Sequence, residues 1–233
     1  MAISEKYSRT YHFPFSPGTT SDDRIQHEYW KHISAIPKLV HTEKLDGENN
    51  CLSRYGVFAR SHVAPTSSPW TESIRRYWQV IKHDLGDLEI FLENLYAVHS
   101  IAYRHLQHHF YVFAIREHDR WLSWEETCFY AAMLDLPVVP VIKLFDTPKA
   151  QVDFERDVLE IVKGKGAFDA MDAATGKPVT MEGIVTRNAG EYPVDAFAQN
   201  VFKYVRKGHV KTDEHWTRKW KRAPLKNEYV DYQ

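Results

Sequence analysis

Thr42-Glu43-Lys44-Leu45-Asp46-Gly47-Glu48-Asn49 is the stretch of this sequence whose residue types and spacing could do chemistry. An Asp-Gly pair makes a tight turn. A lysine set against it can be held rigidly at the mouth of a pocket, facing a phosphate. Lysine attacks phosphorus only as the neutral amine, so its pKa must fall through desolvation or a neighbouring positive charge. The pattern is short, however, and a solvated surface turn has the same composition.

Other residues invite chemistry less. His99, His105, His108, His109 and His118 fall within twenty residues, but their spacings match no zinc template and no cysteine joins them. Solvated or nucleic-acid-facing histidines are the better reading. Gly176-Lys177 is no phosphate loop, because Pro178 stands where Ser or Thr is required and Met171 where the first glycine belongs. Taken singly, Glu93 reads as a solvated strand residue and Lys203 as a surface lysine. Phe113 alternates with Tyr111 and Ile115 on one strand face, which is the pattern of a core ring.

The elements that must position Lys44 are legible around it. Residues 1–37, rich in Pro, Ser, Thr and Asp, read as a loosely structured lead-in. From Lys38 a strand enters the lysine turn, followed by a hairpin with Tyr55-Gly56 at its bend. Pro69 and the spacing of Trp70, Ile74, Trp78, Ile81 and Leu85 predict a helix over 69–85. IFLENLYAV and FYVFAIRE read as strands. Ser123-Trp-Glu-Glu126 is a capping box that opens a helix through Leu134, ended by Pro137. VVPVIKLF is strand-like, Thr147-Pro148 opens a third helix to about Lys163, and 164–178 reads as a loop-rich connection. GIVTR and NVFKYVR are two late strands. The sum is an α+β domain with mostly antiparallel sheets flanked by helices, without the alternation of a Rossmann sheet.

Composition sets the outer bounds. The 233 residues suit one sizeable core, and 43% hydrophobic with 14% aromatic content marks a globular chain. A formal net charge of -1 argues against coating nucleic acid through bulk charge and leaves room for a local basic groove. Two distant cysteines, Cys51 and Cys128, argue against a disulfide framework and fit a reducing setting. No apolar run approaches a membrane span, and the start lacks a signal-peptide core. A soluble, cytoplasmic protein with no membrane partner is expected.

Read together, six segments in order resemble the covalent nucleotidyltransferase superfamily, and most closely the nick-sealing branch of its ATP-dependent RNA ligases. Lys44-Leu45-Asp46-Gly47, with Glu43 before it and Asn49 after, looks like the nucleotidyl-lysine motif. Phe58-Ala59-Arg60-Ser61-His62 resembles the next motif, Phe91-Leu92-Glu93-Asn94 the third, and the strand Phe110–Ile115 the fourth. Glu182-Gly183-Ile184-Val185 resembles the glutamate motif near the metal, and Val201-Phe202-Lys203-Tyr204 the closing lysine motif. Two departures stand out. Val205 occupies the place of a frequent second lysine, followed by Arg206 and Lys207, and Leu92 stands where Gly often precedes the glutamate.

The resemblance implies a ligase adenylation fold, ATP-grasp-like, with residues 38–207 as the adenylyltransferase core. It implies that Lys44 attacks ATP to form a lysyl-adenylate, passes AMP to an RNA 5'-phosphate, and that a 3'-hydroxyl then displaces AMP. Lys203 would neutralise the α-phosphate and help to depress the pKa of Lys44. Asp46, Glu93 and Glu182 would hold Mg2+. Glu43, Leu45, Arg60, Glu93, Phe113 and Lys203 would line the nucleotide, with Glu93 on the ribose and Phe113 stacked on adenine. Asn49, Arg60 and Arg206 would orient the RNA end. Nicked or splinted RNA ends are the implied substrate, with an end-processing kinase or phosphatase as a candidate partner. A DNA ligase and a GTP-dependent capping guanylyltransferase share the lysine motif, and a non-catalytic RNA-binding module could share the fold. The segment 208–233 interleaves Lys, Arg and His with Trp216 and Trp220. It reads equally as a nucleic-acid groove and as a short helix docking two tryptophans. No separate C-terminal OB domain is expected.

Overall fold

A computed structural model describes residues 5–208, 217 and 220–229. Two twisted sheets carry the chain. The first runs in the order β1 (Tyr11–His12), β13 (Val201–Val205), β11 (Gly183–Asn188), β2 (Lys38–Lys44), β9 (Val141–Asp146). The second runs β12 (Tyr192–Pro193), β8 (Arg120–Trp121), β7 (Phe110–Glu117), β5 (Leu88–Asn94), β3 (Glu48–Ser53), β4 (Gly56–Ala59). A small pair, β10 (Ala170–Asp172) on β6 (Ile101–Tyr103), stands apart. Every strand pairing is antiparallel except β1 with β13.

Alternation of side chains divides the apolar residues among three cores. Between the sheets lie Val40, Leu45, Phe91, Phe113, Trp121 and Val201. Behind the second sheet, Leu52, Ile90 and Val112 meet Ile74 of α2 (Glu72–Ile81) and Ala131 of α3 (Trp124–Met133). Behind the first, Leu39, Ile184 and Phe202 meet Ile33 of α1 (Tyr29–Ile33) and Phe154 and Val158 of α4 (Gln151–Ile161). A short α5 (Phe197–Asn200) leads into β13. The result is the mixed α+β architecture the patterning predicts. Among the described residues no helix is long and apolar enough to cross a membrane.

The capping box at α3 is present in both directions. The Glu126 amide donates to Ser123 Oγ at 3.2 Å, and the Ser123 amide donates to the Glu126 carboxylate at 2.9 Å. Elsewhere the elements are shorter than their patterns. The first long helix stops at Ile81, and α4 begins only at Gln151, with the Thr147 amide donating to the Pro37 carbonyl at 3.0 Å. β5 ends at Asn94, whose side-chain oxygen accepts the Tyr96 amide at 2.9 Å. The connection 164–178 contains β10, and Asp172 Oδ1 closes its turn by accepting from the Thr175 amide at 2.8 Å.

The lead-in differs most from its expectation. Instead of lying loosely, Phe13 is fully buried and stacks 5.6 Å from Phe202 while packing edge-on against Tyr29 and Phe154. Tyr7 packs against Phe91, Phe113, Trp121 and Phe197. The aromatic alternation Tyr11, Phe13, Phe15 is a strand period hidden among prolines and serines.

Candidate active site

Lys44 is the last residue of β2, paired with Gly183 of β11. A Cβ on Gly183 would lie 1.8 Å from the Tyr204 carbonyl oxygen, so only glycine lets β13 approach there. This register sets Glu182 beside the lysine, and Lys44 Nζ lies 2.6 Å from Glu182 Oε1. The Lys44 side chain is 27% exposed and that of Glu182 only 3%. Thr42 pairs with Val185, which pairs with Lys203, so alternation places Lys44 and Lys203 on the same face of the sheet. That face looks into the core between the sheets.

The electrostatics correct one expectation. Burial pulls the Lys44 ammonium down, but the carboxylates of Glu182, Glu93 and Asp46 outweigh it, and its pKa is raised. Lys203 is the lysine whose pKa falls, through burial first and then the charge of Lys44, against the opposing pull of Asp23. Any repulsion from Lys203 is outweighed at Lys44 by the three carboxylates. Lys44 rests protonated, paired with Glu182.

The Asp-Gly turn is fixed from three sides. Asp46 Oδ2 accepts the Ser100 and Ile101 amides at 2.9 and 2.8 Å and the Ser100 hydroxyl at 2.7 Å. The Asp46 amide donates to Tyr103 Oη at 2.9 Å, and the Gly47 amide donates to Glu93 Oε1 at 2.9 Å. A Cβ on Gly47 would meet the Asn94 carbonyl at 2.5 Å. Leu45 is buried beneath the turn. Burial and Glu182 push the Glu93 carboxyl up, against Lys44, to about 7. Among the described residues no group of three or more His, Cys, Asp or Glu forms a ready metal cage. Asp46 thus serves the turn, while Glu93 and Glu182 flank the lysine.

The second sheet brings its own row. Asn49, Glu93 and Tyr111 are register partners on β3, β5 and β7, and the buried Asn49 Oδ1 has no hydrogen-bond partner. A bulge in β7 leaves Phe113 without a partner on β5, so Phe113 and Ala114 both face the inter-sheet core. The Phe113 ring is 8% exposed and meets Tyr7 edge-on at 5.0 Å. Its surroundings here are those of a core ring.

Glu43 projects from the opposite face of β2 to Lys44. Its Oε2 accepts the Ala167 amide at 2.8 Å, and Gly166 lies so close that a Cβ there would touch Oε1. Oε1 is buried without a hydrogen-bond partner, and burial raises the carboxyl pKa. Arg60 is exposed just beyond β4. The Arg206 amide donates to the Glu182 carbonyl at 2.9 Å, tying β13 to the glutamate segment. Val205 packs against Gly18, where a Cβ would lie 2.8 Å from its methyl, so this position is covered by chain.

Sequence reasoning missed several residues. Ser100 and Tyr103 anchor the lysine turn from the small sheet. His12 and Asp23 stand beside Lys203, with Asp23 Oδ1 3.2 Å from Nζ. No local signal marks them, because each acts through a contact distant in sequence. At the other end, Trp220 meets Trp70 and Tyr96 at 6.2 and 6.0 Å, and the Ala223 carbonyl takes a hydrogen bond with His109 Nε2 at 2.8 Å. Trp216 lies outside the described residues.

A sequence model of the family described as RNA ligase matches residues 37–205. No curated protein matches the chain. Among solved structures, a putative ATP-dependent DNA ligase from Aquifex aeolicus is 17% identical, with a TM-score of 0.51 over 86% of this chain and 50% of that one. A Naegleria gruberi RNA ligase variant with ATP and Mn is 18% identical, with a TM-score of 0.52 over 85% of this chain and 59% of that one. An archaeal ATP-dependent RNA ligase is 16% identical, with a TM-score of 0.50 over 84% of this chain and 48% of that one. The chain thus spans about half the length of the first of these structures. At such identities the likeness is one of fold.

Proposed function

The chain belongs to the RNA ligase family, and from that premise we propose that it seals RNA ends with ATP through a lysyl-adenylate on Lys44. The observation that carries this reading is the Lys44–Glu182 contact of 2.6 Å, set on the same sheet face as Lys203 and beside Glu93. A lone lysine on a surface turn needs none of these neighbours.

In the first step Lys44 Nζ, once deprotonated, attacks the α-phosphorus of ATP. The new N–P bond replaces the bond to pyrophosphate, which leaves. Glu182 Oε1 is the acceptor in place to take the Nζ proton. Lys203 stabilises the charge on the α-phosphate oxygens. Glu43, whose Oε1 is buried without a hydrogen-bond partner, accepts from the adenine amino group. In the second step the AMP passes to an RNA 5'-phosphate, oriented by Asn49, Arg60 and Arg206. In the third a 3'-hydroxyl attacks that phosphate, joins the strand and expels AMP.

The donor set suits a hard divalent cation. Glu93 and Glu182 offer carboxylate oxygens, Asn49 a buried carbonyl without a partner, and magnesium needs only one or two carboxylates beside phosphates and water. Glu182 and Glu93 would hold it, with Asp46 committed to the turn. When bound, the ion supplies positive charge that weakens the carboxylates' hold on the Lys44 ammonium and screens the triphosphate.

The test is incubation of the protein with Mg2+ and α-labelled ATP or GTP, followed by denaturing electrophoresis. Label from ATP should stay with the wild type, leave on addition of nicked RNA, and be absent from Lys44→Ala. Label that persists on Lys44→Ala removes Lys44 from the mechanism. Label from GTP alone moves the chain to capping chemistry, and discharge by nicked DNA in preference to RNA moves it to DNA sealing.

A further inference from the structure

The first 37 residues bring a carboxylate to the second lysine of the site. β1 lies parallel to β13 with His12 opposite Lys203. The chain then doubles back, so that the His12 amide donates to the Arg24 carbonyl at 2.8 Å and the Gln26 amide to the His12 carbonyl at 2.9 Å. This fold-back sets Asp23 beside the lysine, Oδ1 to Nζ, at 3.2 Å. The same Oδ1 is 3.1 Å from His12 Nε2, while Oδ2 accepts from the Thr20 amide and hydroxyl, each at 3.0 Å.

The support extends one residue deeper. His12 is 1% exposed, and its Nδ1 lies 2.8 Å from Ser16 Oγ, which accepts the Val205 amide at 2.9 Å. Burial and the Lys203 charge lower the imidazole to about 4, so it is neutral at physiological pH. His12 Nε2 faces Asp23 Oδ1 at 3.1 Å without hydrogen-bond geometry, while Nδ1 is bonded to Ser16 Oγ at 2.8 Å. Asp23 is therefore held by Thr20 on one oxygen and faces His12 with the other, and Ser16 ties His12 to β13 itself.

An ammonium has three N–H donors, so one bond to Asp23 leaves two for phosphate oxygens. A free lysine side chain must also give up rotamer freedom to meet a phosphate, and a prior tether removes part of that cost. We propose that Asp23, held by Thr20 and by the fold-back onto β1, is a positioning residue that aims the Lys203 ammonium at the α-phosphate during adenylylation of Lys44. The proposal rests on the ATP reading above.

The competing explanation is an ion pair that merely pins the N-terminal segment to the sheet. Single-turnover label transfer from α-labelled ATP, across ATP concentrations, separates the two for wild type, Asp23→Ala, Lys203→Ala and the double variant. Asp23→Ala should lower the maximal rate roughly tenfold, the order of one charge-assisted hydrogen bond, with the half-saturating ATP concentration changed less than about threefold. On the Lys203→Ala background the same change should have no further effect. Thr20→Ala, which removes one hydroxyl from Asp23, should act in the same direction by about threefold and serves if Asp23→Ala does not fold. Wild-type kinetics in both variants would overturn the proposal, as would an equal loss with and without Lys203. If Lys203→Ala gives no label at all, the split between rate and half-saturation in the single variants decides. A wild type that takes no label sinks the ATP reading and is told apart by that.

Discussion

Glu93 shows how much a single carboxyl at this site costs the fold. Its pKa is raised to about 7, chiefly by burial, so the folded chain binds a proton that the unfolded chain has released. Between the unfolded value near 4.5 and about 7 the folded state carries more protons, so stability falls as pH rises through that window. Glu93→Gln keeps an oxygen for the Gly47 amide and removes the charge. It should therefore melt higher than wild type at pH 8, by an amount on the order of 1–3 kcal/mol, and lose that advantage below about pH 4.5. Thermal unfolding at the two pH values checks the sign, and an unchanged melting temperature at pH 8 would mean that Glu93 is not desolvated.

At the scale of the strand, β11 carries the constraint. Gly183 is the residue over which the Tyr204 carbonyl passes, and an added methyl has only a 1.8 Å gap. Gly183→Ala should therefore destabilise by about 3 kcal/mol or more, measured in urea, because backbone must move and take Glu182 with it. The longer strands, the capping box and the lysine turn were legible in the sequence, since each is a local pattern of period, cap or turn residue, whereas the short β1, β6, β8 and β12 were not. β10 was not, because its three residues form a strand only through pairing with β6. The bulge at Phe113 was equally hidden. Strict alternation already set its ring with Tyr111, and only the register with β5 reveals that Ala114 faces the same way. Lys44 and Glu182 were recognisable as chemistry, but not that Lys44 rests protonated, which depends on three carboxylates meeting in space.

The whole molecule is held by what looked like its least structured part. Phe13 fills the core behind the first sheet between Tyr29, Phe154 and Phe202. Phe13→Ala should cost about 3–5 kcal/mol, where a loose lead-in would cost nothing, and equilibrium unfolding distinguishes the two. The composition of residues 1–37 concealed this, since proline, serine and aspartate dominate the count while the aromatic residues do the packing. A consequence follows for the order in which the chain is made. β1 pairs with a strand about 190 residues later, and Glu182 follows Lys44 by 138 positions. At translation rates of about 5–20 residues per second, the ribosome exposes Lys44 for on the order of ten seconds before its carboxylate partner exists. Until then that lysine lacks the carboxylate that lies 2.6 Å from its Nζ in the folded chain. The edge where β1 meets β13 closes only after residue 205 is made, so Lys44 emerges long before the neighbours that surround it in the folded sheet.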